Sequence, residues 1–79
     1  MTRQELIDFI ENRGYTKSKR SDKIWVKGKY RYVISKIHAK KEVAGERSDY
    51  GYLPWYRLRS AYLKNITING HGKIEGMIY

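Results

Sequence analysis

The Gly28-Lys29 pair is the sequence feature that most narrows the folds open to this chain. It stands between two runs, residues 23–27 and 30–39, that are rich in the β-branched and aromatic residues typical of strands. A two-residue hairpin loop with glycine first suits a type II′ turn, because that turn needs a positive φ at its first position. The turn predicts a register that pairs Lys27 with Tyr30, Val26 with Arg31, Trp25 with Tyr32, and Ile24 with Val33.

This register sorts the hairpin side chains onto two faces, because alternate residues of a strand point to opposite sides. The first face is mainly aliphatic and is predicted to be the core side; apart from Arg31 it carries Ile24, Val26, Val33 and Ile37. The second face mixes rings with lysines and is predicted to face solvent; it carries Lys23, Trp25, Lys27, Tyr30, Tyr32, Ile34 and Lys36. The alternative is that Trp25 and Tyr32 lie in the core, with lysine side chains reaching outward past them.

A helix is predicted over residues 3–13. Thr2 and Glu5 have the spacing of a capping box, in which each side chain accepts a hydrogen bond from the other residue's amide. Gly14 supplies the left-handed residue that commonly ends a helix. One apolar stripe recurs at helical spacing and consists of Leu6, Ile7, Phe9 and Ile10.

The second half of the chain is more ambiguous. Residues 40–49 are charged and are predicted to form a loop. Pro54 is predicted to open a second helix, with Asn65 at its end and one face formed by Trp55, Leu58, Ala61 and Tyr62. The competing interpretation is a strand with Trp55, Arg57 and Arg59 on one side. Short strands are predicted at 66–68 and 73–79, joined by a turn at 69–72.

These elements predict one α+β domain spanning residues 1–79. The order is an N-terminal helix, a β-hairpin, a second helix and a C-terminal hairpin, with both helices packed on one face of a small antiparallel sheet. The end of the last strand, Met77-Ile78-Tyr79, is a candidate edge for pairing with a second copy of the chain.

The positive charge is concentrated in one segment. The chain has 17 Lys and Arg against 8 Asp and Glu, a net charge of +9. Residues 13–41 hold eleven of those bases and only Asp22 among the acids. Such a concentration attracts polyanions, although a solvated surface that keeps the protein soluble is the alternative interpretation.

A nucleic acid, DNA or RNA, is therefore the first partner predicted. Rings on the second hairpin face would stack on bases while basic side chains hold the phosphates. The predicted nucleic-acid-binding residues are Lys17, Lys19, Arg20, Lys23, Trp25, Lys27, Lys29, Tyr30, Arg31, Tyr32, Lys36, Lys40 and Lys41.

A protein partner is the second prediction, because tyrosine and tryptophan in a glycine-containing loop suit protein recognition. The predicted contact residues are Tyr50, Tyr52, Trp55, Tyr56, Arg57 and Arg59. The chain would then act as an inhibitor or accessory factor, of the kind that phages and mobile elements encode, against an acidic protein or a nucleoprotein complex of a host.

Catalysis is not predicted, and neither a cofactor nor a metal is expected. The absence of cysteine excludes disulfides, thiol nucleophiles and cysteine zinc sites, and it favours a cytoplasmic location. No membrane partner is expected, because the longest uncharged apolar stretch, residues 52–56, is too short to cross a bilayer. The enzymatic alternative is a metal-independent ribonuclease that uses the pair His38 and His71, or either one, with lysine and tyrosine in general acid–base chemistry.

Residues 4–34 resemble the start of the HicA-type RNA-cleaving toxins. In both, a helix ends in glycine and an aromatic residue, here Arg13-Gly14-Tyr15, and a basic stretch to Arg20 leads into a hairpin. The resemblance implies a fold like that of double-stranded-RNA-binding domains. The catalytic histidine of that family belongs near Asp22 or Lys23, where this chain has none, so the family's activity is not carried over.

Overall fold

The computed structural model describes residues 1–45 and 55–76, and strands dominate this part of the chain. Helix α1 spans Arg3–Asn12, and a short 3-10 helix spans Leu63–Asn65. The strands are β1 at Thr16–Lys17, β2 at Ile24–Lys27, β3 at Tyr30–Ile34, β4 at His38–Ala44, β5 at Trp55–Tyr62, β6 at Thr67–Ile68 and β7 at Ile74–Glu75. The first five strands form one antiparallel sheet in chain order, and β6 pairs with β7 in a separate hairpin.

The predicted helix and the predicted hairpin register are both confirmed. The hydroxyl of Thr2 accepts a hydrogen bond from the Glu5 amide at 3.2 Å, and Gly14 has a φ of +95°. All four predicted residue pairs of the β2–β3 hairpin are present. Gly28 has a φ of +58°, and no non-glycine residue of the described chain has a positive φ, as a type II′ turn requires.

The prediction of a second helix is wrong, and with it the two-helix α+β architecture. Residues 55–62 form β5, which pairs along its length with β4. The spacing of apolar residues over so short a segment is compatible with either a helix or a strand. Residues 55–62 form a strand because their backbone groups pair with β4. The strand alternative holds only for Trp55 and Arg57, because a bulge places Ser60, not Arg59, next on their face.

Two boundaries in the middle of the chain also differ from the prediction. The run 30–39 is two strands separated by a turn, in which the Ser35 hydroxyl accepts from the His38 amide at 3.1 Å. The predicted loop 40–49 begins as strand, because β4 continues to Ala44. Residues 46–49 of that loop and the C-terminal residues 77–79 lie outside the described residues.

The core lies on one face of the large sheet, beneath α1 and the β6–β7 hairpin. Its buried members are Leu6, Ile7, Ile10, Trp25, Tyr32, Ile34, Ala39, Leu63, Ile66 and Ile74. The predicted assignment of faces is therefore reversed: Trp25 and Tyr32 are each only 3% exposed, whereas Ile24, Val26 and Val33 are half-buried on the outer face. Large rings bury more apolar area than valine does, so α1 covers the face that carries them.

No helix among the described residues is both long enough and apolar enough to cross a bilayer.

Candidate nucleic-acid interface

A cavity of about 320 Å³ opens where α1, the large sheet and the β6–β7 turn meet. Its walls are Phe9, Ile10, Arg13, Tyr15, Lys27, Tyr32, Lys41, His71, Gly72, Lys73 and Ile74, and we call it the basic cleft. Four of these side chains are lysine or arginine, one is histidine and none is acidic. The described lining therefore carries a net positive charge.

Arg13 is held in the cleft by neutral groups. It follows the last turn of α1, and its guanidinium carbon lies 4.7 Å from the centre of the Phe9 ring. Its Nη2 donates a hydrogen bond to the carbonyl of Gly72 in the β6–β7 turn. Gly72 allows this approach because it has a φ of +74°, and a β-carbon there would lie 2.8 Å from that nitrogen.

Lys27 is oriented in the same way. Its Nζ donates to the Arg13 carbonyl at 2.6 Å and lies 5.8 Å from the centre of the Tyr15 ring. Carbonyls and rings orient a cation without cancelling its net charge, in contrast to a carboxylate. Arg13 and Lys27 are thus fixed in position while their contribution to the positive potential is retained.

Lys41 forms the floor of the cleft. Its Nζ lies 4.8 Å from the centre of the Tyr30 ring and 5.6 Å from that of Tyr32. Burial lowers the pKa of Lys41, and burial also raises the pKa of the neighbouring Tyr15, with the charge of Tyr30 as a smaller cause. An anion bound next to Lys41 would favour its charged form and oppose that shift.

Tyr30 forms the rim of the cleft on the side of the β2–β3 turn. It is 37% exposed, and Lys29 places its Nζ 5.5 Å from the ring centre. Tyr30 is the cross-strand partner of Lys27, so the ring lies beside a cleft cation. Of the three rings predicted to stack on bases, Tyr30 alone is exposed, because Trp25 and Tyr32 are buried in the core.

The fold brings together only some of the predicted nucleic-acid-binding residues. Lys27, Tyr32 and Lys41 line the cleft, Tyr30 lies at its rim through its contact with Lys41, and Lys29 contacts the Tyr30 ring. The loops at the opposite end of the sheet hold Lys19, Arg20, Lys23 and Lys36, and Lys17 lies on the short edge strand β1. Trp25 instead donates from Nε1 to Glu11 at 3.3 Å beneath α1, so its ring is not a stacking surface.

Arg31 and Lys40 lie on the outer face of the sheet, in a cluster around Glu42. This carboxylate is 5% exposed, although the sequence suggests a solvated loop for it. Arg31 Nε donates to Glu42 Oε2, and Lys40 Nζ and Arg57 Nε lie 3.6 Å and 3.7 Å from Oε1. The charges of Arg31 and Lys40 are thus partly compensated, whereas Arg13 and Lys27 form no ion pair with a carboxylate of residues 1–45 and 55–76.

The predicted protein-binding residues lie partly within the described chain. Tyr50 and Tyr52 are outside it. Trp55 is half-buried beneath the Arg31 guanidinium, whose carbon lies 4.2 Å from the ring centre. The exposed members are Tyr56, Arg57 and Arg59, and all three belong to β5, the last strand of the sheet order in the described residues.

The predicted nucleic-acid-binding set omits two cations of the cleft, Arg13 and Lys73, and His71 is predicted only as a catalytic candidate. Arg13 is the first residue of the basic segment 13–41. The predicted turn at 69–72 is confirmed, because the side-chain oxygen of Asn69 accepts hydrogen bonds from the amides of His71 and Lys73. No local pattern indicates that positions 13 and 72, 59 residues apart, come into contact.

The two histidines lie in different environments. His71 lines the cleft, whereas His38 is absent from its lining and contacts the Tyr62 ring at 6.1 Å between centres. The proposed pair of general acid and base therefore gains no support from the fold. Within residues 1–45 and 55–76, no group of three or more His, Cys, Asp and Glu could hold a metal ion.

Comparison with protein-family models, with curated proteins and with solved structures finds no match for this chain.

Proposed function

We propose that this chain binds nucleic acid through the basic cleft and its rim. One observation carries the proposal: cationic side chains from the end of α1, from β2, from β4 and from the segment joining β6 to β7 converge on one cavity whose described lining has no carboxylate. Those four side chains come from four different parts of the fold, so the tertiary structure, and not one local run of sequence, brings them to a single cavity.

The chemistry of the cleft suits a phosphate backbone. Lysine and arginine neutralise phosphates and release condensed counterions, which drives binding at low salt. Tyr30 offers one exposed ring at the rim, and a stacked base contributes about 1–3 kcal/mol. The proposed contacts are Arg13, Lys27, Lys29, Tyr30, Lys41 and Lys73.

The first prediction concerns salt. If the five cations among these contacts each meet a phosphate, log K against log salt should fall with a slope of about −3.5 for single strands or about −4.5 for duplex. Fluorescence anisotropy with labelled DNA and RNA oligonucleotides over a salt series measures this slope. A flat response, or no binding of any strand at low salt, would remove the proposal.

A second candidate function is protein binding by strand addition at β5. An edge strand offers unpaired backbone groups to another strand, and partners bound in this way are selected by their side chains. Tyr56 and Tyr62 are each 56% exposed on β5, and Arg57 and Arg59 make this edge positive. The favoured partner is therefore an extended segment with acidic side chains, whereas two copies of β5 would place arginines against each other.

The edge can be tested with the protein itself. The variant Arg59→Glu with Ser60→Glu reverses the charge of β5 and keeps the Arg57–Glu42 ion pair. We expect an equal mixture of wild type and variant to form heterodimers in native mass spectrometry, while each protein alone stays monomeric at the same concentration. A mixture that stays monomeric, or wild type that dimerises alone, would contradict this view of the edge.

A further inference from the structure

The size of the basic cleft restricts which part of a nucleic acid can enter it. Its volume of about 320 Å³ is at the lower end of the range for small-molecule sites, about 300–1,000 Å³. A group the size of one nucleotide can occupy such a cavity, whereas a base-paired segment cannot. An internal nucleotide of a duplex would first have to leave the stack, which costs a few kcal/mol, but a nucleotide at the end of a single strand pays no such cost.

The fixed cations of the cleft favour a dianion over a monoanion. A phosphate monoester carries about −1.5 to −2 charges at pH 7, whereas a phosphodiester carries one. The guanidinium of Arg13 has five N–H donors in a planar fork, and its bond to Gly72 uses one nitrogen of that fork. Lys27 holds its ammonium at the end of α1, because it donates to the backbone carbonyl of Arg13 itself.

We infer that the basic cleft binds the phosphorylated end of a nucleic-acid strand, with the phosphate monoester against Arg13, Lys27 and Lys73. The half-buried rings of Phe9 and Tyr15 form an apolar wall beside these cations and would contact the terminal sugar or base. This inference rests on the proposed function and adds the chemical class of group that the cleft selects. The monoester is common to 5′-phosphorylated and 3′-phosphorylated strands.

The experiment compares four forms of one strand of roughly ten nucleotides, a length within the usual range of single-strand sites. The forms are 5′-phosphorylated, 3′-phosphorylated, hydroxyl at both ends, and covalently closed into a circle. Anisotropy with an internal label measures each affinity at one fixed salt concentration. We expect one phosphorylated form to bind about tenfold more tightly than the hydroxyl form, because its extra charge meets several cations at short range.

Matched variants locate the preference. Lys27→Ala with Lys73→Ala should bring the phosphorylated and hydroxyl forms to within about twofold, since it removes two of the three cations that the inference places against the monoester. Lys19→Ala with Lys36→Ala makes the same chemical change at the opposite end of the sheet and should keep the preference. A nucleoside monophosphate should compete for wild type, and a nucleoside should not.

The outcomes separate this inference from the proposed function. If all four forms bind equally and with the expected salt slope, nucleic-acid binding stands and end recognition is wrong. A preference that survives the loss of Lys27 and Lys73 would place end recognition elsewhere and would also overturn the inference. If no form binds at low salt, the proposed function itself falls.

Discussion

Replacing Lys27 and Lys73 with glutamate should weaken nucleic-acid binding by on the order of a thousandfold at low salt. Each cation that meets a phosphate at about 4 Å gains about 1 kcal/mol in water, and reversing its charge loses this attraction and adds a similar repulsion. Two reversals then cost about 4 kcal/mol, at about 1.4 kcal/mol for each tenfold change in affinity. Anisotropy titrations of wild type and variant with one labelled oligonucleotide measure the change.

The matched control is Lys19→Glu with Lys36→Glu, which changes the net charge equally at the other end of the sheet. Charges farther away than about 10 Å are largely screened at 0.1 M salt, so this control should lose less than about tenfold at that ionic strength. Equal losses in the two variants would mean that net charge alone drives binding and that the cleft is not the site. Thermal melts of both variants check folding, because Lys27 also caps the Arg13 carbonyl.

The part of the fold that follows from local chemistry is predictable from the sequence. The capping residues of α1 and the glycine of the β2–β3 turn act over two to four neighbouring residues, and both predictions are confirmed. Which face of the β2–β3 hairpin is buried cannot be predicted from local sequence, because it depends on the face against which α1 packs. The outer face also carries Glu42 and Lys40 from β4. The charged sequence of this segment predicts a loop, and pairing with its neighbouring strands makes it a strand.

The candidate site is mostly a product of long-range contacts. Residues 55–62 become a strand because β4 offers a pairing edge, and the spacing of Trp55 and Leu58 does not reveal that edge. The basic segment of residues 13–41 supplies three of the cations that line the cleft, Arg13, Lys27 and Lys41. The distribution of charge along the sequence does not predict that Lys73 also lines the cleft, or that Lys36 lies at the opposite end of the sheet.

Replacing Glu42 with glutamine should lower the free energy of unfolding by about 3 kcal/mol, the lower end of the range for breaking a buried ion pair. Glu42 is 5% exposed and accepts from Arg31, with Lys40 close by, so the variant deprives two partly buried cations of the carboxylate they share among the described residues. Arg57 contributes little, because its side chain is 73% exposed and such pairs give at most about 1 kcal/mol. In a domain of this size the loss corresponds to a fall in Tm of about 12–24 °C.

Asp8→Asn is the matched control, since it makes the same carboxylate-to-amide change on the exposed face of α1 and should alter stability by less than about 0.5 kcal/mol. A double-mutant cycle with Arg31→Gln isolates the ion pair, and a coupling free energy of at least about 1 kcal/mol is expected from chemical denaturation. If Glu42→Gln unfolds at the same denaturant concentration as wild type, then the Glu42 cluster does not hold β3, β4 and β5 together. That result would mean that the three ion pairs of Glu42 do no more than offset the cost of burying its carboxylate.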